Sequence, residues 1–277
     1  MKRIAAIQMA SGPNVSANLT EAGRLIAMAV EAGADMVVLP ENFACMSMQD
    51  ADQLKHRERE GEGPIQNFLR EQADKQRVWL VGGTIPLFGQ DEQRMRASCL
   101  VYDERGVLRG RYDKIHLFDV LLEENQETYH ESATIEPDNR IRVIETPFGR
   151  LGLAVCYDLR FPELFRRMLS EQVDIFTLPS AFTAITGRAH WEVLLRARAI
   201  ENLCYVVASA QGGYHVNGRE THGHSMIIDP WGVVQDELDN GSGFVIAGID
   251  MDRIKNIRRT FPVLEHRKIP CDITHDR

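Results

Sequence analysis

No apolar run in this 277-residue sequence approaches the roughly 18 residues that a membrane-spanning helix needs. Its one leader-like feature, the start Met1-Lys2-Arg3-Ile4-Ala5-Ala6-Ile7, is cut short by Gln8, so it is expected to be a first strand rather than a signal peptide. Cysteine is scarce and odd in number: five residues at 45, 99, 156, 204 and 271, with no CxxC pair. That excludes a disulfide framework and a cysteine zinc site, and points to a reduced, cytoplasmic setting. Basic residues are outnumbered, 32 Lys and Arg against 40 Asp and Glu, and the net charge of −8 argues against a nucleic-acid partner and for solubility. Linkers, low-complexity tracts and charge blocks are also lacking. With 44% hydrophobic and 26% charged residues, the composition excludes disorder, collagen and coiled coil.

What is present is alternation of strand-like and helical patterns, the mark of an α/β fold. Ile4–Met9 and the short Met36–Leu39 read as strands, with helical spacing of Leu19, Ala22, Leu25, Ile26, Ala29 and Val30 between them and Gly33 as the stop. A second helix is marked by Ile65, Phe68 and Leu69, and Val78–Ile85 reads as one strand containing Gly82-Gly83. Glu104-Arg105-Gly106 and Pro147-Phe148-Gly149-Arg150 each sit between strand-like runs, as hairpin turns do. Asp174–Leu178, Tyr205–Ala210, Ser225–Ile228 and Phe244–Ile249 complete the expected strands, with a helix over His190–Leu203. One internal echo stands out. Met36-Val37-Val38-Leu39-Pro40-Glu41 and Asp174-Ile175-Phe176-Thr177-Leu178-Pro179-Ser180 both run strand, Leu-Pro, polar residue, which would place two polar groups at equivalent strand ends, where α/β sheets bind ligands.

Three residues carry potential chemistry. Cys156 ends the apolar run Leu151–Val155 and opens Tyr157–Phe165, a strand-to-helix junction where free N–H groups favour a thiolate; the alternative is a buried structural cysteine. Glu41 closes a buried strand, where a carboxylate is costly to ionise without partners and suits a general base; otherwise it is a loop acid or a helix cap. Lys114, in Arg111–Phe118, stands beside an apolar strand end and could steady an oxyanion, or be a solvated surface lysine. His222 and His224 lack a third ligand and fit hydrogen bonding better than a metal. Gly82-Gly83 and Gly212-Gly213 lack the spacing of phosphate loops, and Met46 and Met48 either line an entrance or pack.

Taken together, Pro40-Glu41-Asn42, Tyr112–Phe118 and Cys156-Tyr157-Asp158-Leu159-Arg160-Phe161-Pro162-Glu163 resemble the Glu, Lys and Cys blocks of the nitrilase (carbon–nitrogen hydrolase) superfamily, in the same order, 73 and 42 residues apart. The resemblance runs from Ile4 to about His266, so one domain spanning 1–277 with a short C-terminal tail is expected. It implies a nitrilase-like α-β-β-α sandwich, two mixed sheets face to face with helices outside. It also implies a second glutamate between the Lys and Cys blocks; Glu131 is the best match, with Glu123, Glu124 and Glu127 nearby.

The segments 179–192 and 223–232, and the tyrosine after Cys156, are similar to the Nit-type amidases, which act on deaminated glutathione or α-keto acid amides. Arg188 and Asp138 depart from the pattern, where relatives often carry Pro and Gly; Arg188 bears on the pocket rim. What the resemblance implies is a cofactor-free cysteine amidase acting on a small-molecule amide, deaminated glutathione first. The alternatives are an ω-amidase of 2-oxoglutaramate or 2-oxosuccinamate, a carbamoyl, ureido or nitrile hydrolase, or a non-catalytic binding protein. Glu41, Lys114, Cys156 and Glu131 would carry catalysis, with the Tyr157 N–H in the oxyanion site. Phe182 and Thr186 resemble substrate-contacting positions. Arg160 would hold a substrate carboxylate, unless it forms an ion pair with Glu163. A homodimer or larger homo-oligomer is the assembly expected of this family.

Overall fold

Alternation along the strands decides the layering. In Lys2–Gln8, Ile4 and Ala6 face one core while Ala5 and Ile7 face another; Met36 and Val38 are divided from Val37 and Leu39 in the same way. Both faces of residues 4–7 and 36–39 are buried, so these runs are apolar throughout. The computed structural model describes residues 1–122 and 127–269, which leaves Glu123, Glu124 and Cys271 outside the described residues.

The first sheet runs in the order Gly243–Ile249, Lys2–Gln8, Met36–Val38, Trp79–Val81, Met95–Tyr102, Ile85–Phe88, with Leu108–Asp113 also paired to Met95–Tyr102. The second runs Val234–Glu237, Met226–Ile228, Tyr205–Ala210, Ile175–Ser180, Gly149–Leu153, Val143–Thr146. Each is mixed, with three central strands parallel and the flanking strands antiparallel. Their inner faces share one core, in which Ile4, Ala6, Met36 and Val38 meet Leu151, Leu153, Ile175 and Val207. Helices Val15–Glu31 and Pro64–Gln76 cover the outer face of the first sheet through Ala22, Leu25, Ile26, Ile65 and Leu69. Helices Pro162–Met168 and Ala184–Asn202 cover the second, where Phe165 meets Phe176 with ring centres 5.0 Å apart. The fold is thus the nitrilase-type α-β-β-α sandwich. The sheets are joined where Met9 N–H donates to the Ala210 carbonyl at 3.3 Å and Gly212 N–H to the Met9 carbonyl at 2.8 Å. Among the described residues no helix is long and apolar enough to cross a membrane.

Three sequence expectations need correction. The strand expected over 78–85 is two, Trp79–Val81 and Ile85–Phe88, broken at the glycine pair. Gly83 has φ +57°, and a Cβ there would lie 2.1 Å from the Pro40 carbonyl oxygen, so the pair serves close backbone approach beside Glu41. The long helix opens at Ala184, six residues before His190, because Thr183 caps it by accepting from Thr186 N–H, an N-terminal signal that apolar periodicity does not contain. The segment behind Cys156 is one 3₁₀ turn, Cys156–Arg160, ahead of the short helix Pro162–Met168.

Candidate active site

Each of the three chemical candidates follows the end of a strand. Glu41 follows Met36–Val38, Lys114 directly follows Leu108–Asp113, and Cys156 follows Gly149–Leu153. The first two strands belong to one sheet and the third to the other, so the cluster straddles the join. Lys114 Nζ donates to Glu41 Oε1 at 2.8 Å and to Glu131 Oε1 at 2.7 Å. Glu131 Oε2 accepts from Phe118 N–H at 2.7 Å. The Cys156 thiol lies beside the Glu41 carboxylate and the Ala181 N–H, the latter just beyond Ile175–Ser180. The second echoed strand end meets the cysteine through the Ala181 backbone and not through Ser180, whose hydroxyl donates to the Leu178 carbonyl at 3.3 Å. Of the acids near Lys114 in sequence, Glu131 reaches it, whereas Glu127 accepts from the Tyr129 hydroxyl at 2.6 Å.

Lys114 is 1% exposed, so the surface-lysine alternative falls. Burial alone would lower its pKa, but the charges of Glu131 and Glu41, with Cys156, outweigh that and hold it well above the ordinary lysine value. Glu131 is pushed up by burial and by Glu41, against the pull of Lys114. Cys156 is also pushed well above its ordinary value, by burial first and then by the Glu41 carboxylate, which together outweigh Lys114 and the Ala181 N–H. The thiolate expected from a helix terminus is therefore replaced by a resting thiol beside a carboxylate. A single 3₁₀ turn offers little dipole, and burial with the Glu41 carboxylate outweighs the Lys114 ammonium.

The backbone at the site is held against its own preference. Cys156 has φ +46° and Asn42 has φ +55°, left-handed values unfavourable for non-glycine residues. Asp158, fully buried, fixes the Cys156 turn. It accepts from Val155 N–H at 2.8 Å, from the Tyr112 hydroxyl at 2.6 Å and from His116 N–H at 3.1 Å, tying the Lys114 segment to the Cys156 segment. Gln211 does the same for Glu41, donating from Nε2 to the Glu41 carbonyl at 2.9 Å while its N–H donates to the Ser180 carbonyl at 2.8 Å. Thr84 Oγ1 accepts from Asn42 N–H at 2.9 Å. Sequence reasoning missed Asp158, Gln211 and Thr84 as supports, because their partners lie far along the chain; only the position of Asp158 within the Cys156 block pointed toward it.

Glu41, Lys114, Glu131 and Cys156 line a cleft of about 660 Å³ including its open mouth. Arg160, Phe182, Thr186 and Tyr157 all line it, as do Tyr129 and Arg219, which the sequence did not single out. Arg160 lies 5.3 Å from the Phe182 ring centre and 5.8 Å from that of Tyr157, and its Nη1 is 3.2 Å from His190 Nδ1. Among the described residues it forms no ion pair with Glu163. Thr186 and Thr183 join hydroxyls at 2.8 Å. Arg188 is exposed and does not line the cleft; nor do Met46, which is buried, and Met48, which is exposed. His222 and His224 stack with ring centres 4.3 Å apart, outside the cleft.

The sequence profile described as carbon–nitrogen hydrolase matches residues 3–259. A protein of Synechocystis named deaminated glutathione amidase is 43% identical over 267 residues, 95% of this chain and 97% of its own length. One of the same name from Yersinia enterocolitica is 40% identical over 266 residues, covering 96% and 92%. Among solved structures, Saccharomyces cerevisiae Nit3, described as a member of branch 10 of the nitrilase superfamily, superposes with a TM-score of 0.86 at 29% identity, covering 97% of both chains.

Proposed function

Because the chain belongs to the carbon–nitrogen hydrolase family and is therefore a hydrolase of non-peptide carbon–nitrogen bonds, we propose that it is an amidase cleaving deaminated glutathione to 2-oxoglutarate and Cys-Gly. The observation that carries the chemistry is the buried Lys114 ammonium, shared between Glu41 and Glu131, in one cleft with the Cys156 thiol.

In this reading Glu41 takes the thiol proton as the Cys156 sulfur attacks the amide carbonyl, so that the thiolate forms only as it reacts. Negative charge moves onto the carbonyl oxygen, where Lys114 and the Tyr157 N–H receive it; one such donor is worth about 3 kcal/mol. Glu41 passes the proton to the departing amine, leaving a 2-oxoglutaryl thioester on Cys156. A water then attacks, giving its proton to Glu41, and the sulfur leaves as it regains a proton. Glu131 steadies Lys114 throughout, since a lone buried ammonium would otherwise lose its proton. Arg160 offers a planar fork to the 2-oxo acid carboxylate, backed by Phe182, with Thr186 on the same wall.

Deaminated glutathione and 2-oxoglutaramate would give the same thioester and differ only in the amine expelled. Discrimination then lies in acylation, and the test is kcat/KM for both with one enzyme preparation. A higher value for deaminated glutathione supports the proposal. A higher value for 2-oxoglutaramate replaces it with ω-amidase activity, and turnover of only a nitrile or carbamoyl compound moves the protein to another branch.

A further inference from the structure

The cleft carries two arginines, and the reaction as described uses only one. Three rings form a row along the wall: Tyr129, Phe118 and Tyr157, with Phe118 centred 5.0 Å from each neighbour. Arg160 lies over Tyr157 at one end of the row, and Arg219 lies over Tyr129 at the other, 5.0 Å from its ring centre. Both arginines line the cleft together with the Cys156 cluster. The Arg219 Nε is buried and, among the described residues, has no hydrogen-bond partner. A buried guanidinium N–H left unsatisfied is costly, and such a group facing a cleft is the donor an incoming anion would satisfy.

The segment bearing Arg219 is held rigidly. His215 N–H donates to the Arg219 carbonyl at 2.9 Å and Arg219 N–H to Asn217 Oδ1 at 3.1 Å. The His215 ring bridges the Ser11 carbonyl at 2.9 Å and the Thr221 hydroxyl at 2.7 Å, while Asn217 Nδ2 reaches the Ser47 carbonyl at 2.8 Å. A guanidinium on so anchored a loop is pre-organised for binding.

We propose that Arg219 binds the terminal carboxylate of the leaving amine and so sets the enzyme's preference for a dipeptide leaving group over ammonia; this rests on the amidase reading above. The substrate would then be clamped by a carboxylate at each end, Arg160 on the acyl side and Arg219 on the amine side, with the scissile amide over Cys156. 2-Oxoglutaramate has no carboxylate on the amine side and makes no use of the second arginine. Binding energy remote from the reacting bond then serves to stabilise the transition state of acylation.

The experiment measures kcat/KM for three substrates: deaminated glutathione, the same compound with its terminal carboxylate converted to a carboxamide, and 2-oxoglutaramate. Wild type, Arg219→Gln and Arg219→Lys are compared. In the wild type the carboxamide is expected to be poorer than deaminated glutathione by about 10- to 100-fold, the range for a hydrogen bond to a charged group. Arg219→Gln is expected to lower the ratio of deaminated glutathione to 2-oxoglutaramate by a similar factor and to distinguish acid from carboxamide hardly at all. Arg219→Lys should fall between, keeping the charge but losing the fork. A wild type that prefers deaminated glutathione but accepts the carboxamide equally overturns this inference alone, and does so even if the variants fail to fold. An unchanged ratio in a folded Arg219→Gln does the same. A wild type that turns over 2-oxoglutaramate but not deaminated glutathione removes the deaminated-glutathione reading and this inference together.

Discussion

At the scale of single residues, the raised pKa of Cys156 decides how it should behave. Burial and the Glu41 carboxylate favour the protonated thiol, and in the proposed mechanism its reactivity depends on Glu41 accepting the proton. Alkylation followed by peptide mass spectrometry should therefore modify Cys156 ahead of Cys45, Cys99 and Cys204, which are buried with their own pKa values raised and do not line the cleft with Glu41. In Glu41→Gln the Cys156 rate should fall at neutral pH for want of the base and then climb about tenfold per pH unit, because burial still holds the pKa up even without the Glu41 charge. A rate independent of pH in that variant would remove the base assignment. Cys156→Ser should remain folded and lose turnover, since a hydroxyl is a far weaker nucleophile beside the same carboxylate; near-wild-type kcat in a folded protein would refute the role of the sulfur. Lys114→Met differs in kind: it should still bind substrate yet lose kcat, and it leaves Glu41 and Glu131 facing each other with no cation between them.

Elements, rather than residues, set the positions of these groups. Asp158 is where the Cys156 turn and the Lys114 segment are tied together, and its removal leaves the Tyr112 hydroxyl and the Val155 N–H buried without acceptors. Asp158→Ala is expected to cost about 2–4 kcal/mol, measured by chemical denaturation, and to lower kcat more than it raises KM. The glycine break in the first sheet acts in the same way on Glu41. Gly83→Ala sets a Cβ against the Pro40 carbonyl at a positive φ, so a lower melting temperature and reduced turnover are expected together. The sequence marked Gly82-Gly83 only as a strand interior. Its purpose depends on a segment some 40 residues earlier, and local pattern carries no trace of that approach.

For the whole molecule, the decisive fact is that the cluster draws on both sheets. Glu41 and Lys114 hang from one sheet and Cys156 from the other, across the common core and the join at Met9 and Ala210. Activity and near-ultraviolet circular dichroism should therefore be lost at the same temperature on heating; activity surviving the loss of tertiary signal would contradict a site shared between sheets. Leu153→Ala, which opens a cavity in the shared core just before Cys156, should cost about 2–5 kcal/mol and reduce activity as well as stability. The sequence alone determined the strand and helix alternation, because burial imposes a period that any window of residues displays. It also determined the order of the Glu, Lys and Cys blocks, because each holds its local pattern within a few positions. Only the tertiary structure decided that Glu131 rather than Glu127 reaches Lys114, that Asp158 and Gln211 hold the turns, and that the Cys156 thiol is raised rather than lowered. These are distances between groups remote in the chain, and electrostatic energy depends on distance and burial, neither of which residue order encodes locally.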